Sequence, residues 1–415
     1  MAQELMSPRR PNAGARAVPV ALGGMLGAGI FVAVGPAFAA AGWWSLLGVP
    51  LAALVAGCCA LATAHQAAVY QGPGPAYSCI RARVGVVPAR MSAAAHIAGH
   101  LAALAAIAGL IGDLLFPASS AGAAAVTILL AVLAATAGLR IRAAANWLRL
   151  GLMLAVLALV VAVCFAITPV PSTAMAMPED DSAVGITGAA GVFLFAFLGL
   201  DRVIAAADEQ DRDGRRAVRR TVVVSLVTAS VLLLVLAVAL LHQLGPARLA
   251  LSPVPVIDAL GAAAAGELRP VVSAGIAVAL LPVLLGVLES LRSTALAAVR
   301  DGDLPAVLAR TGPAGTPFPL DLAAGAGAAL IAALVDPVPA TAFASCAVLV
   351  HFAFTNAGAR LSLPEERTWA MRSACLGMGL SVVLAMSMPV PAMLATLAVV
   401  ILGPVLAGTF SGRWS

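Results

Sequence analysis

Residues 21–36 read ALGGMLGAGIFVAVGP, and the rest of the chain is interpreted outward from them. They lie in an apolar run long enough to cross a bilayer, yet Gly23, Gly24, Gly27 and Gly29 fall within it. Each glycine costs a helix interior about 1 kcal/mol relative to alanine. The cluster therefore predicts a break, where unwound backbone N–H and C=O groups bind a small charged ligand.

The same glycines have a second interpretation, which is close packing of two helices. Gly23 and Gly27 fit the small-xxx-small spacing that lets membrane helices approach each other. The stretch alone leaves both interpretations open, so the choice between a break and a packing face rests on the remaining sequence.

The composition excludes a water-soluble fold. Of the 415 residues, 62% are hydrophobic and 10% are charged, and the mean hydropathy is +1.03. Soluble domains carry about 25% charged residues. The formal net charge is +5, and the chain has arginine but no lysine. This modest charge requires no nucleic acid partner, because arginines collect in the cytoplasmic loops of membrane proteins.

Apolar windows of about 20 residues, the length of a membrane-spanning helix, recur along the whole chain. They predict an all-α integral membrane protein with twelve transmembrane helices, at residues 18–40, 44–69, 91–116, 121–138, 147–168, 184–207, 220–243, 270–298, 319–335, 338–361, 370–388 and 390–410. The first is interpreted as an uncleaved span, since its apolar run exceeds a signal-peptide core. A chain that is nearly all membrane core favours transport over catalysis or signalling.

The arginines predict the topology. The loop at 169–182 carries Glu179, Asp180 and Asp181 and no arginine. The loops after even-numbered spans instead hold Arg81, Arg83, Arg90, Arg140, Arg142, Arg212, Arg215, Arg216, Arg219, Arg220, Arg300, Arg310, Arg360, Arg367 and Arg372. By the positive-inside rule, both termini are expected in the cytoplasm and the protein in the plasma (inner) membrane.

Span 6 contains a second candidate break. Leu198, Gly199 and Leu200 precede Asp201, and a carboxylate inside a span is costly and usually functional. Pairing of Asp201 with Arg202 is the plainer alternative. Span 6 is the fifth after span 1, so the two breaks occupy corresponding positions of two five-span halves. This predicts a five-plus-five inverted repeat that binds its ligand between the breaks.

Four motifs resemble those of the amino acid permeases in the amino acid–polyamine–organocation superfamily. They are Gly27-Ala28-Gly29-Ile30-Phe31, Gly74-Pro75-Ala76-Tyr77 before Gly85, Phe195-Ala196-Phe197-Leu198-Gly199-Leu200-Asp201 before Asp208-Glu209, and Arg300-Asp301-Gly302-Asp303-Leu304-Pro305. The resemblance covers roughly residues 18–361 and implies a LeuT-like alternating-access fold with broken helices 1 and 6. Two extra C-terminal helices follow the repeats.

The resemblance also implies where a substrate binds. Its amino and carboxyl groups would contact the unwound parts of spans 1 and 6, with Phe195 as an aromatic gate. The implied substrate-binding residues are Leu26, Gly27, Ala28, Gly29, Ile30, Phe195, Leu198, Gly199 and Leu200. The implied domains are a cytoplasmic tail at 1–17, the repeats at 18–168 and 184–361, the last two spans at 370–410 and a cytoplasmic tail at 411–415.

Three titratable residues are candidates for carrying a coupled proton, namely Asp201, Glu289 and His65. Burial raises a carboxyl pKa, which brings proton exchange towards neutral pH. Pairing with Arg292, three residues along the helix, is the alternative for Glu289. An interfacial histidine without a role is the alternative for His65. Some proton-coupled relatives carry a lysine in span 5, and this chain has none.

No metal site, disulfide or cofactor is expected. The six cysteines form no C-x-x-C pair and lie mostly in apolar runs. His96 and His100 have a spacing that suits metal ligation, but the sequence offers no third ligand nearby, so packing inside the bundle is expected.

The expected function is secondary active transport of a neutral apolar amino acid, coupled to protons. A cationic amino acid or polyamine as substrate, and exchange or export as the mode, are alternatives within this class. A passive channel is an alternative from another class, although most spans lack the polar stripe of a pore. An enzyme or receptor would need a catalytic cluster or a sensing domain, and the sequence has neither.

Overall fold

A computed structural model describes residues 22–25, 29–139, 143–168, 185–200, 212–362 and 371–411. Helices and turns make up this part of the chain. The helices of eight or more residues after residue 33 are α1 Val34–Ala41, α2 Ser45–Val69, α3 Pro75–Arg83, α4 Val86–Leu115, α5 Ser120–Thr136, α6 Ala143–Ala166, α7 Ile186–Phe193, α8 Arg212–Leu251, α9 Pro255–Ala262, α10 Arg269–Arg300, α11 Phe318–Leu334, α12 Pro337–Arg360, α13 Met371–Met386 and α14 Val390–Ser411.

The described part of every predicted span is largely helical, which confirms an all-helical membrane protein over the described residues. Eight helical stretches are long and apolar enough to cross a bilayer, and the first of them, Val34–Val69, joins α1 and α2. Shorter apolar helices, including Ile186–Leu200, Phe318–Leu334 and Arg372–Met386, lie at other predicted spans. The count of twelve crossings stays a prediction.

Helix α4 is the centre of the bundle. In its most apolar window 78% of the residues are buried, against 17% in α14, which therefore lies at the periphery. Helices α5, α10, α12 and α14 all pack against α4. Small residues allow this packing, because a Cβ at Gly99 would already lie 3.1 Å from Val348.

The structure also contains helices in segments that the sequence pattern predicts as loops. Helix α3 begins at Pro75, directly after Gly74, whose φ of 62° lies in the left-handed region. A side chain at Gly74 would lie 2.6 Å from the Cβ of Ala297, so the glycine lets α3 dock against the end of α10. Helix α9 follows α8, which is kinked at Gly245.

Candidate functional site

The two predicted breaks contact each other through bare backbone. A Cβ at Gly29 would lie 2.0 Å from the Cα of Ala196, and one at Gly199 would lie 2.5 Å from the carbonyl carbon of Gly24. Real Cβ atoms do not approach this closely, so neither position accepts a larger residue without displacing main chain. The described glycines of the first predicted break, Gly24 and Gly29, therefore serve an interhelical contact.

The second break is longer than predicted. Helix α7 ends at Phe193, and the chain continues as a 3₁₀ helix over Leu194–Leu200, so it leaves the α-helical path four residues before Leu198. Runs of 3₁₀ helix beyond three or four residues are uncommon and often mark a hinge. Phe195 is buried, as is nearly the whole segment. The irregular backbone thus lies inside the bundle, where membrane proteins tolerate it.

A small cavity adjoins both breaks. Its volume is about 10 Å³, which is close to the room that one water molecule needs. It is lined by Gly24, His100, Ile107, Leu198, Gly199, Val283, Gly286, Val287 and Ser290. Only Leu198 and Gly199 belong to the predicted binding set, while α4 and α10 supply most of the wall. An amino acid does not fit this volume, so binding requires the walls to move.

The described part of the predicted binding set comes together around the contact between the breaks. Its members are Gly29, Ile30, Phe195, Leu198, Gly199 and Leu200. Leu26, Gly27, Ala28 and Asp201 lie outside the described residues.

Arg149 adds a cation to the first break that the sequence interpretation missed. It comes from α6 and is 5% exposed. A Cβ at Gly23 would lie 1.7 Å from Nη2 of Arg149, so the guanidinium occupies the space that this glycine leaves. The signal was available, because an arginine inside an apolar span is costly and usually functional.

Two proton-carrier candidates lie in surroundings that differ from expectation. Glu289 is exposed and shares its face of α10 with the exposed Val278 and Leu281, rather than being half-buried. Arg292 donates from Nε and Nη2 to both carboxylate oxygens of the fully buried Asp321 on α11. The alternative pairing of Arg292 with Glu289 thus competes with a bidentate contact between helices.

His65, the third candidate, is 4% exposed and lies near the C-terminal end of α2. Among the described residues, no group of three or more histidine, cysteine, aspartate or glutamate side chains has the arrangement of a metal site.

The second and fourth motifs also meet, through side chains. Tyr77 donates its hydroxyl hydrogen to Asp303, which also accepts from Arg81 at 2.8 Å and from Nε of Arg90 at 2.8 Å. Asp303 is 2% exposed, so three donors surround a carboxylate removed from water. Burial, and then the hydrogen bond to Asp303, raise the pKa of Tyr77 above its ordinary value. The network ties α3 and the start of α4 to the loop after α10.

Comparisons with known proteins identify the family of this chain. The sequence pattern of the amino acid permease family matches residues 16–359. Proteins from Mycobacterium bovis and from two strains of Mycobacterium tuberculosis, each named an uncharacterised transporter, are 37% identical over 391 residues. These matches cover 93% of this chain and 88% of each relative.

A solved structure shares the fold at low sequence identity. It is a manganese transporter of Eremococcus coleocola in complex with an aromatic bis-isothiourea substituted compound. Its TM-score is 0.54 at 13% identity, and the match covers 97% of this chain and 94% of that one. The family pattern and the relatives establish that the chain belongs to the amino acid permease family and is a multi-pass membrane transporter.

Proposed function

We propose that this permease is a secondary active transporter that moves a neutral apolar amino acid by alternating access, coupled to protons. The proposal includes a twelve-span, five-plus-five repeat in the plasma membrane with both termini in the cytoplasm. The substrate binds between the broken helices, at Leu26–Ile30 and at Phe195 and Leu198–Leu200.

The observation that carries the proposal is the contact of the two predicted breaks beside a small cavity. Gly29 lies against Ala196, and Gly24 against Gly199, with the cavity on the same backbone. Broken helices supply N–H groups for a carboxylate and C=O groups for an ammonium group. A cavity of about 10 Å³ is expected for a binding site that must open to admit substrate. A continuous pore would leave a larger open space. This favours a carrier over a passive channel.

The cavity wall favours a neutral substrate side chain. Its described lining residues are apolar or glycine except for His100 and Ser290, and they include no carboxylate. Arg149, buried beside Gly23, adds a positive charge that repels a cationic side chain and attracts a carboxylate. A cationic amino acid or polyamine remains the alternative substrate if Asp201 faces the site.

The test uses purified full-length protein in liposomes. A radiolabelled L-amino acid mixture and radiolabelled putrescine are presented under an inward proton gradient of about one pH unit. At one proton per substrate this gradient supports about tenfold accumulation. We expect apolar amino acids to accumulate, putrescine to stay out, and a protonophore to abolish accumulation.

Exchange and export are separated by preloading the liposomes. Trapping of label only with unlabelled amino acid inside identifies an exchanger and contradicts proton coupling. Accumulation of arginine or putrescine instead of apolar amino acids contradicts the proposed substrate. Failure of every amino acid in both formats contradicts amino acid transport itself.

A further inference from the structure

Three buried histidines form a cluster next to the cavity. His96 and His100, one turn apart on α4, stack with ring centroids 4.0 Å apart. His351 on α12 brings its ring centroid to 4.4 Å from that of His96, although 255 residues separate the two in sequence. All three side chains are at least 95% buried, with exposures of 3%, 2% and 5%.

The hydrogen bonds of the cluster identify its basic nitrogens. Nδ1 of His100 lies 2.8 Å from the carbonyl oxygen of His96, which can only accept, so Nδ1 carries the hydrogen. In the neutral ring of His100 the other nitrogen, Nε2, is therefore the proton acceptor. Ser92 Oγ lies 2.8 Å from Nδ1 of His351, and Thr355 Oγ1 lies 3.4 Å from its Nε2. Neutral hydroxyl groups thus surround His351.

His96 leaves one buried nitrogen without a partner. Its Nε2 is 3.4 Å from Ser290 Oγ, but its Nδ1 makes no hydrogen bond among the described residues. A buried polar atom without a partner costs about 1 to 3 kcal/mol. Packing alone does not explain this cost, because an apolar residue would fill the space without it.

The cluster is continuous with the cavity between the breaks. His100 and Ser290 both line that cavity, and Ser290 is also the hydroxyl nearest to His96. From His100 the polar side chains continue to His96, His351 and Ser92 towards the start of α4, a length of about 12 Å along the helix. Water that enters an opened cavity would therefore meet His100 first.

Several charged groups on the surrounding helices pair with one another or lie on an exposed face. On α10, Glu289 is exposed on the outer face and Arg292 binds Asp321 of α11. At the start of α4, Arg90 binds Asp303 together with Arg81 and Tyr77 of α3. The remaining charged or histidine residues of the packed helices lie towards the helix ends, while α5 and α14 contain no charged residue. They are His65 on α2, Arg83 on α3, Asp113 on α4, Arg269 and Arg300 on α10, Arg360 on α12 and Arg372 on α13.

We propose that this cluster holds the proton that the permease couples to substrate, with Nε2 of His100 as the atom that takes it up from the cavity. This inference rests on the proposed function as a transporter. Burial away from water destabilises an imidazolium, and contact with water stabilises it. Opening the cavity therefore favours proton uptake by the cluster, and closing the cavity favours proton release. Two adjacent imidazolium groups repel each other, so the cluster holds a single proton.

The experiment separates coupling from transport. In liposomes, the radiolabelled L-amino acid mixture is followed both by exchange at equal pH and by accumulation under an inward gradient of about one pH unit. The informative variant is His100→Asn, because the asparagine NH₂ takes the place of Nδ1–H and keeps the donor to the carbonyl of His96. We expect its accumulation ratio to fall to about one, from about ten in the unaltered protein. Its exchange rate should fall less and remain measurable.

The matched control is His242→Asn. His242 is exposed, its ring stacks on Phe165 with centroids 5.1 Å apart, and neither residue lines the cavity. It should keep the exchange and the accumulation of the unaltered protein. His351→Asn keeps a donor near Ser92 and should lose accumulation as His100→Asn does, which extends the test to a second member of the cluster.

Each other outcome overturns a stated proposal. If His100→Asn still accumulates label under the gradient, the cluster does not hold the coupled proton. If the unaltered protein exchanges label but never accumulates it under the gradient, the inference fails while amino acid transport stands. If the unaltered protein does neither, the proposed function fails and this inference fails with it.

Discussion

At the two breaks, Gly29 and Ala196 touch through main chain with no space for one more carbon atom. Between α3 and the loop after α10, Asp303 gathers three side-chain donors, from Tyr77, Arg81 and Arg90. Both contacts join motifs that lie more than 150 residues apart in the sequence. The first contact requires that Gly29 has no side chain, and the second requires the negative charge of Asp303 and the positive charges of the arginines.

This difference indicates different tasks. The contacts of Gly29 with Ala196 and of Gly24 with Gly199 contain no ion pair, so the two segments can separate without breaking one, as a site that opens and closes requires. Removing one member of a buried charge network instead strands its partners. We therefore expect the break contact to fail when atoms are added, and the Asp303 network to fail when charge is removed.

Gly29→Ala should have the largest effect on transport. The added methyl group meets the backbone of Ala196, which cannot swing aside as a flexible side chain does. Overpacking of this kind costs about 1 to 3 kcal/mol, and the contact it distorts adjoins the cavity. We expect amino acid exchange in liposomes to fall by about tenfold or more.

Two glycines provide controls for that change. Gly151 on α6 has no atom within 4 Å of an added Cβ, so Gly151→Ala should leave exchange intact. Gly23→Ala meets the guanidinium of Arg149, which is the end of a flexible chain, and should have an intermediate effect. Equal losses in all three variants would contradict the importance of the break contact.

Asp303→Asn should have the next largest effect, mainly on stability. It removes the carboxylate that Arg81 and Arg90 share at 2.8 and 2.7 Å, in a position 2% exposed. Both arginines are partly exposed, so water compensates some of the loss, and we expect about 2 to 3 kcal/mol of destabilisation. The melting temperature in detergent, followed by size-exclusion chromatography, measures it.

The control for this variant is Asp301→Asn. Asp301 lies two residues away and pairs with Arg81 at 3.4 Å and Arg300 at 3.3 Å, with its side chain 23% exposed. An exposed ion pair contributes about 0 to 1 kcal/mol, so the melting temperature should change little. A larger loss from Asp301→Asn than from Asp303→Asn would show that burial does not decide the strength of this network.

Tyr77→Phe should have a smaller effect that depends on pH. Tyr77 is neutral in the folded and unfolded protein below its ordinary pKa of 10.0. At neutral pH the change therefore removes the hydrogen bond to Asp303 and the one that Arg81 donates to the hydroxyl at 3.0 Å, together about 1 to 2 kcal/mol. Because burial and Asp303 raise the folded pKa, the folded state keeps its proton above pH 10.0 while the unfolded state loses it. Proton loss therefore favours unfolding as pH rises further.

The measurement is the melting temperature at neutral pH and above pH 10.0, where the unaltered protein should lose more stability than Tyr77→Phe. The chain has no lysine and only two tyrosines, and its six cysteines titrate alike in both proteins, so the difference between them reports on Tyr77, with Tyr70→Phe as the matched control. A parallel decline in the unaltered protein and in Tyr77→Phe would contradict the raised pKa.

The sequence predicted the elements whose causes are local. Apolar runs located the spans, because about 20 apolar residues are needed wherever a helix crosses a bilayer. Gly199 marked the 3₁₀ segment of span 6, because glycine lacks a Cβ whatever surrounds it, while the break predicted around Gly27 lies outside the described residues. Neither pattern predicted that Gly29 would meet Ala196, since this contact is decided by how two distant helices pack.

Features that depend on the orientation of a helix were not predictable. Helix α10 is rich in alanine, leucine and valine on all sides, so periodicity did not show that Glu289 faces outward while Ser290 lines the cavity. His351 joins His96 only through the packing of α12 on α4. Helix α3 escaped prediction because its docking depends on Gly74, where the missing side chain admits Ala297.

Glu289→Gln should have the smallest effect. It tests whether the exposed position of this carboxylate excludes it from carrying the coupled proton. The glutamate is exposed beside Val278 and Leu281, away from the cavity that Ser290 and His100 line. Proton-gradient-driven accumulation in liposomes should stay within about twofold of the unaltered protein, in the range of ordinary surface substitutions. Because Gln keeps the size and polarity of the side chain, a loss of accumulation with intact exchange would identify the charge itself as the cause. That result would place the coupled proton on Glu289, on the outer face of α10. Coupling would then require a movement of α10 that links Glu289 to the contact between the breaks.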